Sequence, residues 1–440
     1  MEGLDATIIA TSLPQIAHAM NVPATTIGVT LTAYLISVSM WMAASGWLAD
    51  RFEARRVFVL AIMVFALGTA VCGFSANLAQ LVTGRFIQGM GGAMMTPVGR
   101  LILARSFPRD QLVQAMSYMI VPGLMGPLLG PVVGGWITSY LDWRWIFFAN
   151  LPLALGGMAL AMRFLDRMPA TQTPRFDWWG FALVALALVA FQAGLEAIAE
   201  KGAFTGAAQL GVAVALVAMA AYWRHAGRPD PILDFRLMRY RTFAVAVLGG
   251  AWSRIVLGGT MFLFPLYFQL GLGASPIEAG YLMAALAIGQ IALRLVLDPL
   301  RRRLGLRPLL IGNCIALAAM LLLFLPMLEG ISLWLLGAFL FGFGMLQAIQ
   351  LSLLGALNFS GIPATELGRA TSLAAVAQRL AMAAGISLCA IMLGHTRAGA
   401  TIPRGSFSMP LIALAAMLVL SALSFRFLRE GDGDDLIDRR

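Results

Sequence analysis

Lysine is nearly missing from this 440-residue chain: Lys201 stands alone against 30 arginines. Cysteine and histidine are scarce too, with three of each. Charged residues make up 12% of the chain, where a soluble protein carries about 25%. Each shortage excludes something. Cys72, Cys314 and Cys389 lie far apart inside apolar runs, which gives no disulfide framework and no metal-ligand spacing. His18, His225 and His395 form no cluster, and H-E-x-x-H, G-x-S-x-G and G-x-x-x-x-G-K-[ST] are all absent, so no metalloprotease, hydrolase or ATP-driven pump is indicated. The low charge excludes a soluble globular domain and a disordered chain alike.

Apolar residues fill the space that charge leaves, at 60% of the chain and a mean hydropathy of +0.83. A membrane-spanning helix takes about 20 such residues. Runs of them fall near residues 4–20, 26–48, 57–75, 79–101, 112–138, 145–164, 179–197, 206–223, 243–269, 279–297, 308–327, 332–355, 370–393 and 409–428. All except the first are long enough to span. The expected fold is an all-α polytopic membrane protein with fourteen spans and almost no soluble domain.

The net charge of +10 sits in small arginine clusters between the runs, not on a continuous basic face, so nucleic acid is not an expected partner. Alternate loops divide the basic residues unequally. Twenty-three, from Arg51 to Arg440, fall on one side; Arg144, Lys201, Arg397 and Arg404 fall on the other. Arg85, Arg254, Arg294 and Arg379 lie inside runs. Cytoplasmic loops carry the arginine excess, so both termini are expected in the cytoplasm and the number of spans is even.

The loops also echo each other. Asp50-Arg51-Phe52-Glu53-Ala54-Arg55-Arg56 follows the second run, and Arg302-Arg303-Leu304-Gly305-Leu306-Arg307-Pro308 follows the tenth, with Arg-x-x-x-Arg in common. That spacing predicts a six-helix half over 1–166, a two-helix insertion with its linkers over 167–240, a second six-helix half over 241–428 and a tail over 429–440.

Several segments carry chemistry. In Gly46-Trp47-Leu48-Ala49-Asp50-Arg51-Phe52-Glu53-Ala54-Arg55-Arg56, Gly46 allows close helix approach, Asp50 can act as a charged latch, and Arg51, Arg55 and Arg56 pin the loop in the cytoplasm. This segment resembles the loop between helices two and three of the major facilitator superfamily, with Glu53 where the family has glycine. Leu81–Ala93 is similar to that family's fourth helix, with Arg85 and Gln88 on one helix face. An arginine inside a bilayer is a functional candidate by default. Gly126-Pro127-Leu128-Leu129-Gly130-Pro131-Val132-Val133-Gly134-Gly135 resembles the family's antiporter motif, whose prolines kink a helix that its glycines let neighbours approach. Leu4–Pro14, Trp143–Pro152, Phe176–Gly180, Pro265–Gln269 and Gly368–Ser372 resemble the fourteen-span drug:proton antiporters of the EmrB/QacA type.

That resemblance implies a proton-coupled exporter of small amphiphilic compounds in a bacterial cytoplasmic membrane. It would use the proton gradient and no cofactor, and in a Gram-negative host a periplasmic adaptor and outer-membrane channel could join it. The same fold also serves transporters of single metabolites; a membrane enzyme or receptor is a more distant alternative. Asp5 is the expected proton carrier, with Arg85 holding its charged form, although an aspartate at that point can equally cap a helix. Gln88, Arg254, Gln378 and Arg379 are candidates for the substrate cavity. Arg294 and Asp298 are expected to pair, and Glu196 and Glu278 to lie near helix ends. The aromatics Trp252, Phe262, Phe264, Tyr267 and Phe268 read first as packing groups and second as stacking surfaces for substrate. Arg85, Arg254 and Arg379 against Asp5 favour neutral or anionic amphiphiles over lipophilic cations.

The run from Leu4 to Ala19 covers about 24 Å of a roughly 30 Å hydrocarbon core. The family places its aspartate near mid-helix, so the expectation is that apolar residues precede Met1 and that a helix starting there leaves Asp5 near the cytoplasmic surface. The charge asymmetry itself yields a direct test. In intact cells, Arg302→Cys should resist a membrane-impermeant thiol reagent and Arg397→Cys should react with it; labelling of the first from outside would reverse the topology.

Overall fold

A computed structural model describes residues 29–167, 175–201, 206–228, 230–274, 276–293, 304–328, 332–394 and 403–429, together with residues 5, 16, 19, 20, 297, 300 and 432. Most of the first run, the Arg294–Asp298 pair, the Arg301–Arg303 cluster and the Glu196 side chain lie outside the described residues. The described residues form no strand.

Among the described residues, fourteen α-helices of eight residues or more follow in order. They are α1 (Val29–Met42), α2 (Ser45–Phe52), α3 (Ala54–Gly73), α4 (Leu78–Ser106), α5 (Leu112–Tyr140), α6 (Asn150–Phe164), α7 (Trp178–Lys201) and α8 (Gly206–His225). The rest are α9 (Gly250–Leu266), α10 (Pro276–Ala292), α11 (Leu306–Met327), α12 (Leu333–Leu357), α13 (Leu367–Gly394) and α14 (Ser408–Phe425). Among the described residues nine helices are long and apolar enough to cross a membrane, and α1 with α2 makes a tenth as one bent span. The 29-residue α4 and α5 reach about 43 Å each.

Polar side chains set several helix ends. Asn77 accepts from Gln80 N at 2.9 Å, and Gln80 returns its Oε1 to Ala76 N at 2.8 Å, so orphan amides at the start of α4 are satisfied reciprocally. Ser332 caps α12 in the same manner through Leu335 N.

The run over 26–48 is not one helix. It bends by 55° between α1 and α2, and the hydrogen bonds explain why. Ser45 Oγ takes the Met42 carbonyl at 2.7 Å, the acceptor that Gly46 N would use in a continuous helix. Gly46 N donates instead to Ser372 Oγ at 2.8 Å, on α13.

Helices α1 and α3 both pack on α4, with α6 against α3. A second group joins α9 to α13 and α14, α10 to α12, and α11 to α12 and α14. The two meet where α5 packs on α10 and α12, and where α2 and α4 pack on α13. Helices α7 and α8 pair with each other, and α7 reaches both α1 and α13.

The loop echo is visible in the backbone. Glu53, ahead of α3, has φ 73° and ψ 124°; Gly305, ahead of α11, has φ 74° and ψ 170°. Both sit between the arginines of an Arg-x-x-x-Arg, in a region that glycine alone adopts freely. The tight turn that glycine serves in the family is therefore kept in the first copy, at the expense of strain. A 2.9 Å pair with the exposed Arg56 offsets little of it. Glu53→Gly should hold or raise the melting temperature of the purified protein. Gly305→Ala should lower stability by about 1–2 kcal/mol. A clear fall for Glu53→Gly would show that the Arg56 pair outweighs the strain.

Candidate functional site

Asp5, Arg85, Gln88, Thr69 and Asn150 are each fully buried, and they touch. Arg85 Nη1 donates to Asp5 Oδ2 at 2.5 Å and to Gln88 Oε1 at 2.5 Å. Gln88 Nε2 lies 2.9 Å from Asp5 Oδ1 and 2.8 Å from Thr69 Oγ1, and Asn150 Nδ2 lies 3.5 Å from the same carboxylate oxygen. Arg85 Nε reaches the Thr30 carbonyl at 3.4 Å, and its guanidinium stacks 4.3 Å over the Tyr34 ring. Arg85 and Gln88 come from one face of α4, Thr69 from α3, Tyr34 from α1 and Asn150 from the start of α6. Asp5 is fully buried even though only four residues precede it. Its carboxylate is held where these donors converge, away from water. Arg85 Nη2 and Asn150 Oδ1 have no partner among the described residues, which leaves the cluster room to rearrange.

A second cluster joins the two helix groups at their arginine-rich ends. Arg105 Nη2 donates to Asp50 Oδ1 at 2.5 Å. A Cβ on Gly368 would lie 2.0 Å from Asp50 Oδ2, so Asp50 sits directly on the first turn of α13. A Cβ on Gly46 would collide with the Gly368 carbonyl at 1.9 Å, which is why the contact needs glycine on both helices. Arg369 extends the cluster to the linker after α8, donating to Asp230 at 2.7 Å and to Asp234 at 3.4 Å. Asp50 thus bridges the end of α4 and the start of α13. Arg51 lies on the surface and lines a groove of about 840 Å³ between α2, α3 and α4, while Arg55 donates to the Met162 carbonyl of α6.

The remaining candidates fall on α5, α9 and α13. Helix α5 continues unbroken through Pro127 and Pro131 of the antiporter motif. Gly126, Gly130 and Gly134 are buried four residues apart on one face of it, with Gly135 following. Gln378 accepts from Arg100 Nη1 of α4 at 2.7 Å, another link between the groups, and Arg379 is half-buried beside it. Arg254 is 2% exposed and donates to the Ala246 carbonyl at 2.8 Å. Phe264, Tyr267 and Phe268 pack with Phe324, Phe343 and Phe407 in the core, so they serve packing and not an open site. The three cysteines are buried and free.

The sequence pointed to Asp5, Arg85 and Gln88 but not to Thr69, Tyr34 or Arg105. Arg105 counts as a loop residue when the fourth run is taken to end at 101; in the structure α4 runs on to Ser106 and delivers it to Asp50. An amide network of Gln290, Gln347, Asn313 and Gln350 with Ser253 was also missed, its only signal being polar residues inside strongly apolar runs.

An ion pair out of water is expensive to break from one side. Arg85→Met, which leaves the buried carboxylate alone, should destabilise the purified protein by about 3–5 kcal/mol. The double variant Asp5→Asn with Arg85→Gln should recover most of that in a thermal-shift assay. A double variant no more stable than Arg85→Met would mean that the two charges do not compensate each other.

The sequence model of the Major Facilitator Superfamily matches residues 1–386 and, in a second match, 255–435. The chain is 35% identical over 431 residues to a candidate multidrug resistance protein, MdtD, of Pectobacterium carotovorum, covering 97% of this chain and 92% of that one. It is 34% identical to the MdtD of Klebsiella pneumoniae, covering 100% of this chain and 94% of its relative. Two solved structures share the fold. The human organic anion transporter MFSD10 superposes with a TM-score of 0.67 at 16% identity, over 96% of both chains. The proton:xylose symporter XylE superposes with a TM-score of 0.65 at 17% identity, over 96% of this chain and 91% of its own. The chain is therefore a multi-pass membrane transporter and belongs to the Major Facilitator Superfamily.

Proposed function

We propose that this protein is a proton-coupled antiporter that exports small amphiphilic compounds from the bacterial cytoplasm, with fourteen spans in two six-helix halves around a two-helix insertion. Both termini and the arginine-rich loops would face the cytoplasm. The observation that carries the reading is the buried Asp5–Arg85 pair. The names of the MdtD relatives support drug efflux, and the antiporter-like motif on α5 supports exchange.

The pair suits coupling for an energetic reason. Protonating Asp5 removes the counter-charge of a guanidinium that has no access to water. An uncompensated buried charge costs about 3–5 kcal/mol. Moving a two-state protein from 1:99 to 99:1 takes about 5.5 kcal/mol. One proton at this site therefore supplies most of the bias that alternating access requires. The charged groups around Asp5 and Arg85 are few: Tyr34 and Cys72 are the titratable neighbours, with Gln88, Thr69 and Asn150 as neutral partners. In the present conformation the arginine-rich end is shut by Asp50–Arg105, Gly46–Ser372 and Arg100–Gln378, so the site would open away from the cytoplasm.

Export of one specific metabolite on the same fold is the second reading, and a substrate panel separates the two. Proteoliposomes with an imposed pH gradient should accumulate several unrelated amphiphiles against their gradients. Asp5→Asn should abolish that uphill movement and retain substrate binding. Wild-type rates of uphill transport by Asp5→Asn would remove Asp5 from the mechanism.

A further inference from the structure

Arg254 is a buried cation with no counter-charge among the described residues. It lies 13 residues along from Arg241, about 20 Å from the arginine-rich end, and is 2% exposed. Its Nη1 donates to one backbone carbonyl, that of Ala246, in the π-helical turn Val245–Gly249. Its Nε has no acceptor, and no carboxylate among the described residues reaches it. The charge that does act on it is Arg100, which repels it. Arg85, equally deep, has Asp5 and Gln88 within 2.5 Å.

The polar groups nearby do not make up the difference. Gln350 donates to Ser253 at 3.1 Å and accepts from Asn313 at 3.0 Å. Gln347 accepts from Gln290 at 2.7 Å and donates to Thr260 at 3.3 Å. A lone backbone contact does not need a guanidinium either, since a neutral donor would make it without burying charge. Something other than stability holds an arginine at this position.

What Arg254 borders is a cavity between α9, α11, α12 and α14. Ser253, Gln347 and Gln350 give it a polar side, and Leu257, Phe343 and Leu351 an apolar one. At about 10 Å³ it holds one water and no substrate. Leu351 and Leu354 of α12 line the cavity, and a Cβ on the next residue, Gly355, would lie 3.7 Å from Met116 Cγ of α5, the helix that packs on α12 here. Lifting α5 from α12 would widen the cavity beside the guanidinium.

We propose that Arg254 binds the anionic group of the transported compound, and that the substrates are organic anions, each a carboxylate or similar group on an apolar body. The proposal rests on the exporter reading. A guanidinium pairs with a carboxylate through two parallel hydrogen bonds, for which the free Nε provides one edge. A lipophilic cation would meet Arg254 and Arg100 together and be repelled.

Equilibrium binding to the purified full-length protein tests this without any pH gradient, using the anionic dye carboxyfluorescein and the cationic dye rhodamine 6G. The wild type should bind the anion at least about tenfold more tightly than the cation. Arg254→Gln should lose about tenfold or more for the anion alone, and Arg254→Lys should restore part of it. The melting temperature guards against a folding artefact. Removing an unpaired buried charge should leave the free Arg254→Gln protein as stable as the wild type or more so, and the anion should stabilise the wild type but not the variant. Equal or tighter binding of the cation, unchanged anion binding by Arg254→Gln, or no binding of the anion up to about 1 mM would each overturn the proposal. A marked loss of stability in free Arg254→Gln would do the same, by assigning the residue a structural role. Anion binding without pH-driven flux would leave the assignment standing and defeat the exporter reading. Flux of the cation with no effect of Arg254→Gln would do the reverse.

Discussion

A carboxylate and a guanidinium buried together in an apolar bundle set the terms for the first group of helices. Each charge alone would cost several kcal/mol out of water; paired, and with both Asp5 oxygens and two of the three guanidinium nitrogens hydrogen-bonded, they are tolerable. That tolerance demands close convergence. Arg85 and Gln88 on α4 must meet Asp5, Thr69 on α3, and Asn150 at the start of α6. Glycine makes the approach possible: a Cβ on Gly68 of α3 would lie 2.4 Å from Gln88 N, and one on Gly89 of α4 would lie 2.6 Å from the Tyr34 carbonyl. Small residues at these crossings are thus a condition of the ion pair and not merely a packing preference.

The two helix groups handle buried polarity differently. The first closes its charge internally, acid against base. The second is lined by neutral amides and hydroxyls hydrogen-bonded to one another, from Gln290 through Gln347 to Thr260 and from Asn313 through Gln350 to Ser253 and Ser421. One cation, Arg254, remains outside that network. The backbone shares one feature across the two groups, with Glu53 and Gly305 at φ 73° and 74° between the arginines of their Arg-x-x-x-Arg loops.

Much of this was legible in the sequence because membranes make polar residues conspicuous. Asp5, Arg85, Gln88 and Arg254 stand out in apolar runs, and all four are buried. Pooling charges misled where pairing decides: Arg85, Arg254 and Arg379 against Asp5 read as a diffuse positive surplus, whereas Arg85 is neutralised locally and Arg254 is not. The bend between α1 and α2 left no mark, because Ala43 and Ala44 are as apolar as their neighbours and the cause is a bond from Gly46 to Ser372, 326 residues away. The burial of Asp5 is equally unreadable from the start of its run, because the donors that enclose it come from α4 and α6, far along the chain.

Helix α4 connects the Asp5–Arg85 pair to the Asp50 contact. Arg85 and Gln88 hold Asp5, Arg100 reaches Gln378 across the groups, and Arg105 holds Asp50, all along 29 residues of one helix. From Arg85 to Arg105 is about 30 Å at helical rise. A straight rod would carry any tilt at the ion pair directly to the Asp50 contact. Pro97 lies between the two sets of contacts, and proline removes a backbone hydrogen bond and lets a helix bend there. On the proposed antiporter reading, the segment bearing Arg85 and Gln88 would bend at Pro97 against the segment bearing Arg100 and Arg105. Small shifts at the ion pair would then stay local, and only the full loss of the Asp5 charge would reach the Asp50–Arg105 contact.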